Sequence, residues 1–248
     1  MLAEMIGERG LVILPAEDDY CDQIAGRTRA KVVTCGFEKG DLIAKDVAFD
    51  GQRSTFTIVT RDEGKIEAAI GVPGKHMVSN ALLAAAVGLH FGLSLEQIAA
   101  GLTSAELTGG RLQSKRIGEI DFIDDSYNAN PDSMRAAVET LAGMACEGRR
   151  VAVLGGMAEL GEAAEDEHRK LGVETKAAGI DLILSVGEMA APITEGLNGD
   201  GSGRVRHFDN QEACAAFLKE AASAGDLVLV KGSRSALMDR VLTEFEKL

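Results

Sequence analysis

The sequence contains no CxxC pair, and its four cysteines lie far apart along the chain, at Cys21, Cys35, Cys146 and Cys214. Metal sites and disulfide frameworks use cysteines at short or regular spacings. Scattered cysteines are typical of proteins from a reducing compartment. The pattern therefore predicts reduced, mostly buried thiols and no metal site.

Long apolar runs are also lacking. No run approaches the roughly 20 apolar residues that a helix needs to cross a bilayer. The N-terminal segment MLAEMIGERG has neither the basic start nor the apolar stretch of a signal peptide. We therefore expect a cytoplasmic protein that does not insert into membranes.

The chain has fewer basic than acidic residues, 26 Lys and Arg compared with 39 Asp and Glu, which gives a net charge of −13. Nucleic-acid affinity comes largely from cations that neutralise phosphates, so we expect no nucleic-acid partner. The acidic net charge does not exclude binding of a small anionic ligand, because a few oriented groups can hold such a ligand. With 248 residues and 46% hydrophobic side chains, the chain is long enough for one large globular domain or two ordinary ones.

Two nucleotide-binding motifs are missing. No GxGxxG follows a strand, which disfavours a dinucleotide-dependent oxidoreductase. The segment GVPGK (71–75) superficially resembles a phosphate loop, but its spacing is shorter than GxxxxGK and His76 takes the place of the required Ser or Thr. The sequence therefore supplies no phosphate loop of that kind.

In the first half of the chain, mostly β-rich segments are followed by predicted helices. Leu11–Leu14 predicts a strand and residues 17–27 a helix. Residues 31–70 hold four short β-rich pieces with turns at Asp50-Gly51 and Glu63-Gly64, which predicts an antiparallel meander. A nearly all-apolar, buried helix is predicted at 76–91, and a second at 94–104, where Ser94 and Gln97 form a capping box.

The second half alternates strands with amphipathic helices. Thr108-Gly109-Gly110 is the predicted domain boundary, and Gly196–Gly203 is a predicted mobile surface loop. We predict α/β architecture with a mostly parallel sheet covered by helices on both faces. The strands are expected near 112–117, 119–124, 150–154, 181–185, 204–208 and 226–230, and the helices near 132–145, 163–178, 210–224 and 235–247.

The densest polar cluster is DDSYNANP (124–131), which follows an apolar strand and precedes a helix. Ligands of open α/β sheets bind beyond the carboxyl ends of strands, so acidic and amide groups there suit a nucleotide. The alternative is a simple strand-to-helix turn, in which Asp132 or Ser133 caps the helix.

A second candidate is PGKHMVSN (73–80), where His76 and Asn80 share one face of a helix start that favours anions. Alternatively, Asn80 bonds within its own helix and His76 is a surface residue. Three further positions are weaker. The glycines of Leu154–Met157 permit close approach or form an ordinary turn. Lys231–Ser235 offers two cations and two hydroxyls for a carboxylate, or a serine cap for the last helix. Arg111 could reach a phosphate or be a solvated surface charge.

Four of these segments, in this order and spacing, resemble the MurF-type Mur ligases, the UDP-N-acetylmuramoyl-tripeptide–D-alanyl-D-alanine ligases: PGKHMVSNALLAAAVG, DDSYNANPDSM, LGGMAELGE and VKGSRSALM. The resemblance covers nearly the whole chain. It implies that residues 1–107 are the C-terminal half of the central ATPase domain and that residues 108–248 are the Rossmann-like C-terminal domain. The family's phosphate loop, magnesium-binding glutamate and carbamylated lysine would then all lie upstream of Met1.

The resemblance also implies a reaction. ATP with Mg²⁺ converts the carboxylate of the UDP-linked tripeptide to an acyl phosphate, and the amine of D-alanyl-D-alanine attacks it. The expected partners are these small molecules, and the parent enzyme is expected to be monomeric. Because no phosphate loop is present, the chain alone is expected to be inactive. The alternative is a non-catalytic nucleotide- or peptide-binding module derived from such a ligase.

Carried over residue by residue, the resemblance assigns His76 and Asn80 to the adenine side. It assigns Arg111 and Asp125 to the ribose and phosphates, with domain closure bringing them to ATP. The face near the amino substrate would include the remaining candidates, Asn128, Asn130, Lys231, Ser233 and Arg234. Of all these residues, Asp125, Asn130 and Lys231 are expected to be catalytic, Asn128 to contact the nucleotide, and Ser233 and Arg234 to bind substrate.

Two positions depart from the family pattern. The family usually has Asn directly after the histidine, where this chain has Met77, and Asp where this chain has Gly156. Met77 removes a hydrogen bond to adenine or replaces it by packing on the ring. Gly156 removes a carboxylate.

Overall fold

The computed structural model describes residues 2–49, 53–62, 64–105, 109–195, 197 and 203–248. Of the features predicted above, the Asp50-Gly51 turn, Glu63, Thr108 and most of the Gly196–Gly203 loop lie outside the described residues. The chain forms two compact units, Met1–Glu106 and Leu107–Leu248. The assignment of residues 1–107 and 108–248 to the two ligase domains remains a prediction.

The N-terminal unit contains one five-stranded sheet, in the order β1-β2-β3-β4-β5. Its last three strands are antiparallel, as predicted, but β2 pairs in parallel with both β1 and β3. The predicted antiparallel meander is therefore wrong for β2 and β3. The strands are β1 Leu11–Pro15, β2 Lys31–Gly36, β3 Leu42–Phe49, β4 Ser54–Thr60 and β5 Lys65–Ile70.

A side-chain clamp explains the parallel start of β3. Asp41 Oδ2 accepts hydrogen bonds from the backbone N and the Oγ1 of Thr34, at 2.9 and 3.0 Å, and the Asp41 N donates to the Thr34 carbonyl. Gly40 (φ +136°) supplies the backbone conformation that the return requires. The chain thus loops back, and β3 begins beside the end of β2, with Leu42 opposite Cys35.

The described residues of the N-terminal unit also form the 3₁₀ helix Leu2–Met5 and three α-helices: α1 Cys21–Ala25, α2 Lys75–His90 and α3 Leu95–Ser104. Helix α1 is shorter than predicted, because Asp18 accepts the Tyr20 N–H and forms a turn before it. The capping box of Ser94 and Gln97 at α3 is confirmed. The prediction of a buried α2 is correct for one face only: it packs on β1, β2 and β3, whereas Val87 is 45% exposed.

The C-terminal unit has a six-stranded sheet in the order β10-β9-β8-β11-β7-β6, parallel throughout except for the edge strand β6. The predicted strands are confirmed to within one residue, and so is the mostly parallel α/β architecture. The strands are β6 Gln113–Ile117, β7 Ile120–Asp125, β8 Arg150–Gly155, β9 Leu182–Val186, β10 Val205–Phe208 and β11 Leu227–Lys231.

Helices pack on both faces of this sheet: α4 Pro131–Gly143, α5 Ala164–Ala177, α6 Ala191–Thr194, α7 Gln211–Ala221 and α8 Asp239–Lys247. The pair α7 and α8 covers an apolar cluster that includes Val228 and Val230 of β11. Because side chains alternate along a strand, Leu229 and Lys231 face the other side, where α4 packs. The final helix begins later than predicted, since the 3₁₀ turn Arg234–Ala236 and the left-handed Leu237 (φ +47°) precede it.

No helix among the described residues is both long enough and apolar enough to span a bilayer.

Candidate functional site

Three of the sequence-predicted segments, two polar and one glycine-rich, meet at one edge of the C-terminal sheet. The strands β8, β11 and β7 are neighbours in that order and run parallel, so their carboxyl ends lie at the same edge. Each is followed by a predicted segment: Gly155–Met157 after β8, Lys231–Ser235 after β11, and Asp124–Asn130 at the end of β7. This is the edge at which open α/β sheets bind ligands.

A buried ion pair joins β7 to β11. Asp125 and Lys231 stand opposite each other in the strand register, and Lys231 Nζ lies 2.6 Å from Asp125 Oδ2. The two side chains are only 11% and 3% exposed. Lys231 Nζ also donates to the Asn128 carbonyl at 3.1 Å, and Asp125 Oδ1 accepts the Leu112 N–H at 3.1 Å. Both oxygens of the carboxylate thus have partners within this unit, and the lysine holds a carboxylate of the chain itself.

Arg111 lies beside this pair and is exposed. Its guanidinium carbon lies 4.5 Å from the centre of the Tyr127 ring, within the range of a cation–π contact. The backbone supports the arrangement, because the Tyr127 N donates to the Gly110 carbonyl at 2.9 Å and Leu112 is held in the left-handed region (φ +47°). The segment therefore presents an oriented cation at the sheet edge.

The two predicted asparagines differ in role. Asn130 caps α4: its Oδ1 accepts the Ser133 N–H at 2.8 Å, and Ser133 Oγ accepts the Asn130 N–H at 3.0 Å. The alternative in which Asp132 or Ser133 caps the helix is therefore wrong, although the segment does form a strand-to-helix turn. Asn128 is exposed and contributes its carbonyl to Lys231. The predicted catalytic role of Asn130 stays a prediction.

The ends of β8 and β11 approach closely through glycines. A Cβ at Gly155 would lie 2.6 Å from Met238 Sδ, and one at Gly232 would lie 3.1 Å from the Gly155 Cα. The Ser233 N donates to the Gly156 carbonyl at 2.9 Å, which ties the two segments together.

Ser233 is buried, with its Oγ 3.1 Å from Ser235 Oγ, whereas Arg234 is exposed. Neither serine caps α8, which begins after Met238 without a side-chain cap, so that alternative is wrong.

His168 belongs to the same edge and was missed at the sequence level. It is fully buried on α5, and its Nε2 accepts the Met157 N–H at 2.8 Å. Its Nδ1 lies 2.6 Å from the Ala164 carbonyl. A single histidine on an amphipathic helix has no motif spacing around it, so the sequence carries no signal for this contact.

The candidates of the N-terminal unit lie at the start of α2. His76 is half-buried and Asn80 is exposed, one helical turn apart on the same face. The Asn80 amide lies 3.9 Å from Met77 Sδ, at the position that departs from the family pattern. The helix begins at Gly74 (φ +118°) without a side-chain cap, and the Lys75 ammonium lies 4.6 Å above the Phe37 ring.

The cysteines and potential metal ligands add no further centre to the described part of the chain. Cys21, Cys35 and Cys214 are buried, Cys146 is half-buried, and all four are free thiols, so the predicted mostly buried thiols are confirmed. Burial raises the pKa of Cys35 and of Cys214 to about 12. Across the described ranges, no group of three or more His, Cys, Asp or Glu side chains is placed to hold a metal ion.

Comparisons with known proteins cover both units. A family model described as Mur ligase middle domain matches residues 1–88, and one described as Mur ligase, glutamate ligase domain matches residues 110–234. The UDP-N-acetylmuramoyl-tripeptide–D-alanyl-D-alanine ligase of Escherichia coli K12 is 35% identical over 246 residues, 97% of this chain and 53% of that protein. The protein of that name from Mycobacterium bovis is 37% identical over 258 residues, 95% of this chain and 50% of the relative.

A crystal structure of MurF from Acinetobacter baumannii has the same fold, with a TM-score of 0.87 at 31% identity. The match covers 98% of this chain and 53% of that one. The chain therefore spans about half the length of the curated relatives it matches.

Proposed function

The chain belongs to the Mur ligase family, and on that premise we propose that it is part of an ATP-dependent ligase of peptidoglycan precursor synthesis. The proposed reaction joins D-alanyl-D-alanine to UDP-N-acetylmuramoyl-tripeptide, as the names of its relatives state for them. Residues 1–107 would form the second half of the central ATPase domain and residues 108–248 the C-terminal domain.

The observation that carries this proposal is the convergence of two polar segments and a glycine turn at the carboxyl edge of one parallel sheet. Two exposed arginines, Arg111 and Arg234, belong to these segments or adjoin them. A guanidinium binds phosphate and carboxylate oxygens through paired N–H groups, so both sites suit anionic substrates. We assign Arg111 to the ribose and phosphates of ATP. We assign Arg234, with Ser233, to the carboxylate of D-alanyl-D-alanine.

The buried pair serves these arginines indirectly. Asp125 holds the Arg111 segment through the Leu112 N–H, and Lys231 holds Asp125 and the Asn128 carbonyl. We therefore propose that Asp125 and Lys231 act by positioning the segments around them, which differs from the catalytic role that the family resemblance assigns to them. Asn128, exposed beside the pair, is assigned to the nucleotide.

In the N-terminal unit, His76 and Asn80 present an imidazole and an amide at the uncapped start of α2. These groups fit an adenine, which offers a flat ring for stacking and a donor and acceptor edge for an amide. We propose that Met77 packs on the same ring in place of a hydrogen bond.

Phosphoryl transfer depends on groups that position and neutralise the transferring phosphate. The sequence supplies no GxxxxGK[ST] loop, and the described residues supply no cluster of metal ligands. We therefore propose that acyl phosphate formation also requires phosphate- and Mg²⁺-binding groups other than the residues assigned here. The proposed role of this chain is to bind adenine and to place the amine of the dipeptide for attack on the acyl phosphate.

A titration with D-alanyl-D-alanine, followed by NMR of the backbone amides, tests the substrate assignment. We expect saturable shifts at Gly156, Ser233 and Arg234, and their loss in Arg234→Ala. The matched control is Arg206→Ala, because Arg206 stacks on Phe217 at 4.5 Å and is also exposed, but lies on β10. Absence of shifts at millimolar dipeptide, or equal effects of both substitutions, would refute the assignment.

Phosphate release tests whether this chain alone supplies the groups that phosphoryl transfer requires. The purified chain with ATP, Mg²⁺, UDP-linked tripeptide and D-alanyl-D-alanine should release no phosphate above background. Substrate-dependent release would mean that the phosphate-binding groups lie within this chain, against the proposal.

A second function is favoured by one observation at Gly156. A Cβ there would lie 2.8 Å from Met189 Cβ, so Met189 occupies the space that the family's aspartate would need. With Met77, this substitution favours a non-catalytic nucleotide- or peptide-binding module derived from a Mur ligase. An upstream reading frame that encodes a phosphate loop ending in GK[ST] would decide for the enzyme.

A further inference from the structure

His168 is locked in a single tautomer by its two backbone partners. The Met157 N–H can only donate, so Nε2 carries no proton, and the Ala164 carbonyl can only accept, so Nδ1 carries one. Both bonds are short, and no part of the side chain reaches solvent. The ring is therefore a neutral bridge between the turn after β8 and the first turn of α5.

The turn that His168 holds has few other means of fixing itself. Gly155 and Gly156 carry no side chains, and regular structure resumes only at the 3₁₀ turn Gly161–Ala163. Between Gly156 and Gly161, Glu159 (φ +64°) adopts the left-handed backbone conformation, which costs free energy in a residue other than glycine. Beyond the pairing of Gly155 with β9 and the Ser233 N–H bond to the Gly156 carbonyl, the turn is held by the buried Met157 side chain and by the bond from Met157 N–H to His168.

The same turn supports the segment after β11. The Gly156 carbonyl accepts the Ser233 N–H at 2.9 Å, directly before Met157 in the chain. The peptide group between Gly156 and Met157 thus donates to the His168 ring and accepts from Ser233, and it links the two residues. Arg234, exposed at the sheet edge, is the next residue.

We propose that His168 is a positioning residue for the amino substrate: it fixes the Gly155–Met157 turn and, through it, Ser233 and Arg234. This inference rests on the proposed function, which assigns Ser233 and Arg234 to D-alanyl-D-alanine. His168 itself touches no substrate. Its contribution is preorganisation, since a binding group held in place loses less freedom when the ligand arrives.

The test compares two substitutions of His168 with a control on the same helix. His168→Leu removes the acceptor for Met157 N–H, whereas His168→Gln offers a side-chain oxygen at a similar reach. The control is Thr175→Val, which removes another buried hydrogen bond of α5, from Thr175 Oγ1 to the Leu171 carbonyl, with no contact to the turn.

Native-state hydrogen exchange gives the first readout. We expect His168→Leu to speed exchange of the Met157 and Ser233 amides by about tenfold, the effect of losing one hydrogen bond from a local opening. His168→Gln should stay within about threefold of the unsubstituted rate, and Thr175→Val should leave both amides unchanged. Unchanged exchange of both amides in His168→Leu would overturn the inference. If His168→Leu does not fold, His168→Asn, whose shorter side chain brings no acceptor to the Met157 N–H, takes its place, and unchanged exchange of both amides in that variant would overturn the inference.

Affinity for D-alanyl-D-alanine gives the second readout. His168→Leu should raise the Kd about tenfold and Thr175→Val should not change it. Faster exchange with an unchanged Kd would show that the turn does not position the substrate, which also overturns the inference. If the unsubstituted chain binds no dipeptide, the proposed function fails and the role of His168 in the reaction fails with it. The exchange data then still decide whether His168 holds the turn.

Discussion

Replacing Lys231 by methionine should destabilise the C-terminal unit strongly. Methionine keeps most of the side-chain volume but removes the ammonium, which lies 2.6 Å from Asp125 Oδ2 and is almost fully buried. The Asp125 carboxylate would then be left in the interior without a counter-charge. Breaking a buried ion pair from one side costs about 3–5 kcal/mol. For a unit of this size that free energy lowers the Tm by about 10–20 °C.

The tyrosines allow this unit to be observed alone. The chain has no tryptophan and two tyrosines, of which Tyr20 lies in the N-terminal unit and Tyr127 in the C-terminal unit. In a Tyr20→Phe background, tyrosine fluorescence during urea unfolding therefore reports on Tyr127 only. The free energy of unfolding follows from the urea midpoint and slope.

A double-mutant cycle supplies the control. Asp125→Asn alone should also cost several kcal/mol, because it leaves the Lys231 ammonium buried without its carboxylate. The double variant should lose about 2 kcal/mol less than the sum of the two single losses, since both charges are then gone. Additive losses, or a loss below about 1 kcal/mol for Lys231→Met, would refute the reasoning that the pair is buried and mutually dependent.

Three further outcomes follow from the structure. Gly172→Ala puts a methyl group onto a backbone carbonyl of α6, so the free energy of unfolding measured in urea should fall by about 1–3 kcal/mol. The control Gly143→Ala meets open space and should not destabilise the protein. Losses of equal size in the two variants would contradict the described packing. Because burial raises the pKa of Cys35 and Cys214 to about 12, native protein at pH 8 should alkylate there far more slowly than in urea, and equal rates would show that the two thiols are accessible. Burial alone raises the pKa of Asp226, but hydrogen bonds from the Arg149 guanidinium and from the backbone N–H groups of Arg149 and Ser223 outweigh it and leave the pKa below its usual value. The stability that Asp226 contributes is therefore complete above the unfolded-state pKa and is lost as pH falls through the folded-state pKa. In Asp226→Asn, the free energy of unfolding should therefore fall less steeply as the pH is lowered. An unchanged dependence on acid pH would contradict this assignment.

Much of the C-terminal unit could be predicted from sequence because its strands are short apolar runs separated by amphipathic helices. The resemblance to MurF-type ligases, noted on four segments, is confirmed by relatives of that name at 35 and 37% identity. The parallel pairing of β2 with β3 could not be predicted, because it depends on Asp41 returning to Thr34, a contact between side chain and backbone with no hydrophobic period. The late start of α8 depends on one left-handed residue, Leu237, whose type gives no hint of it.

The candidate site was predictable at the level of segments and less so at the level of roles. Polar residues after strands β7 and β11 could be placed at one sheet edge by topology alone. Their pairing could not, because the strand order that makes Asp125 and Lys231 neighbours is a tertiary property, and they are 106 positions apart in the chain. His168 stayed hidden for a related reason, since no sequence motif marks its bond to the Met157 N–H, which forms only when α5 packs beside the turn after β8.

The order of strands in the C-terminal sheet has a consequence for biosynthesis. β11 is made after the other five strands but lies between β8 and β7, near the middle of the sheet. While the ribosome is still synthesising the chain, β7 and β8 each have an open edge and the two halves of the sheet have nothing to join them. Open strand edges tend to pair with other polypeptides, and these two stay exposed until residue 231 has emerged. Only then can Lys231 meet Asp125, so the ion pair forms as the sheet closes.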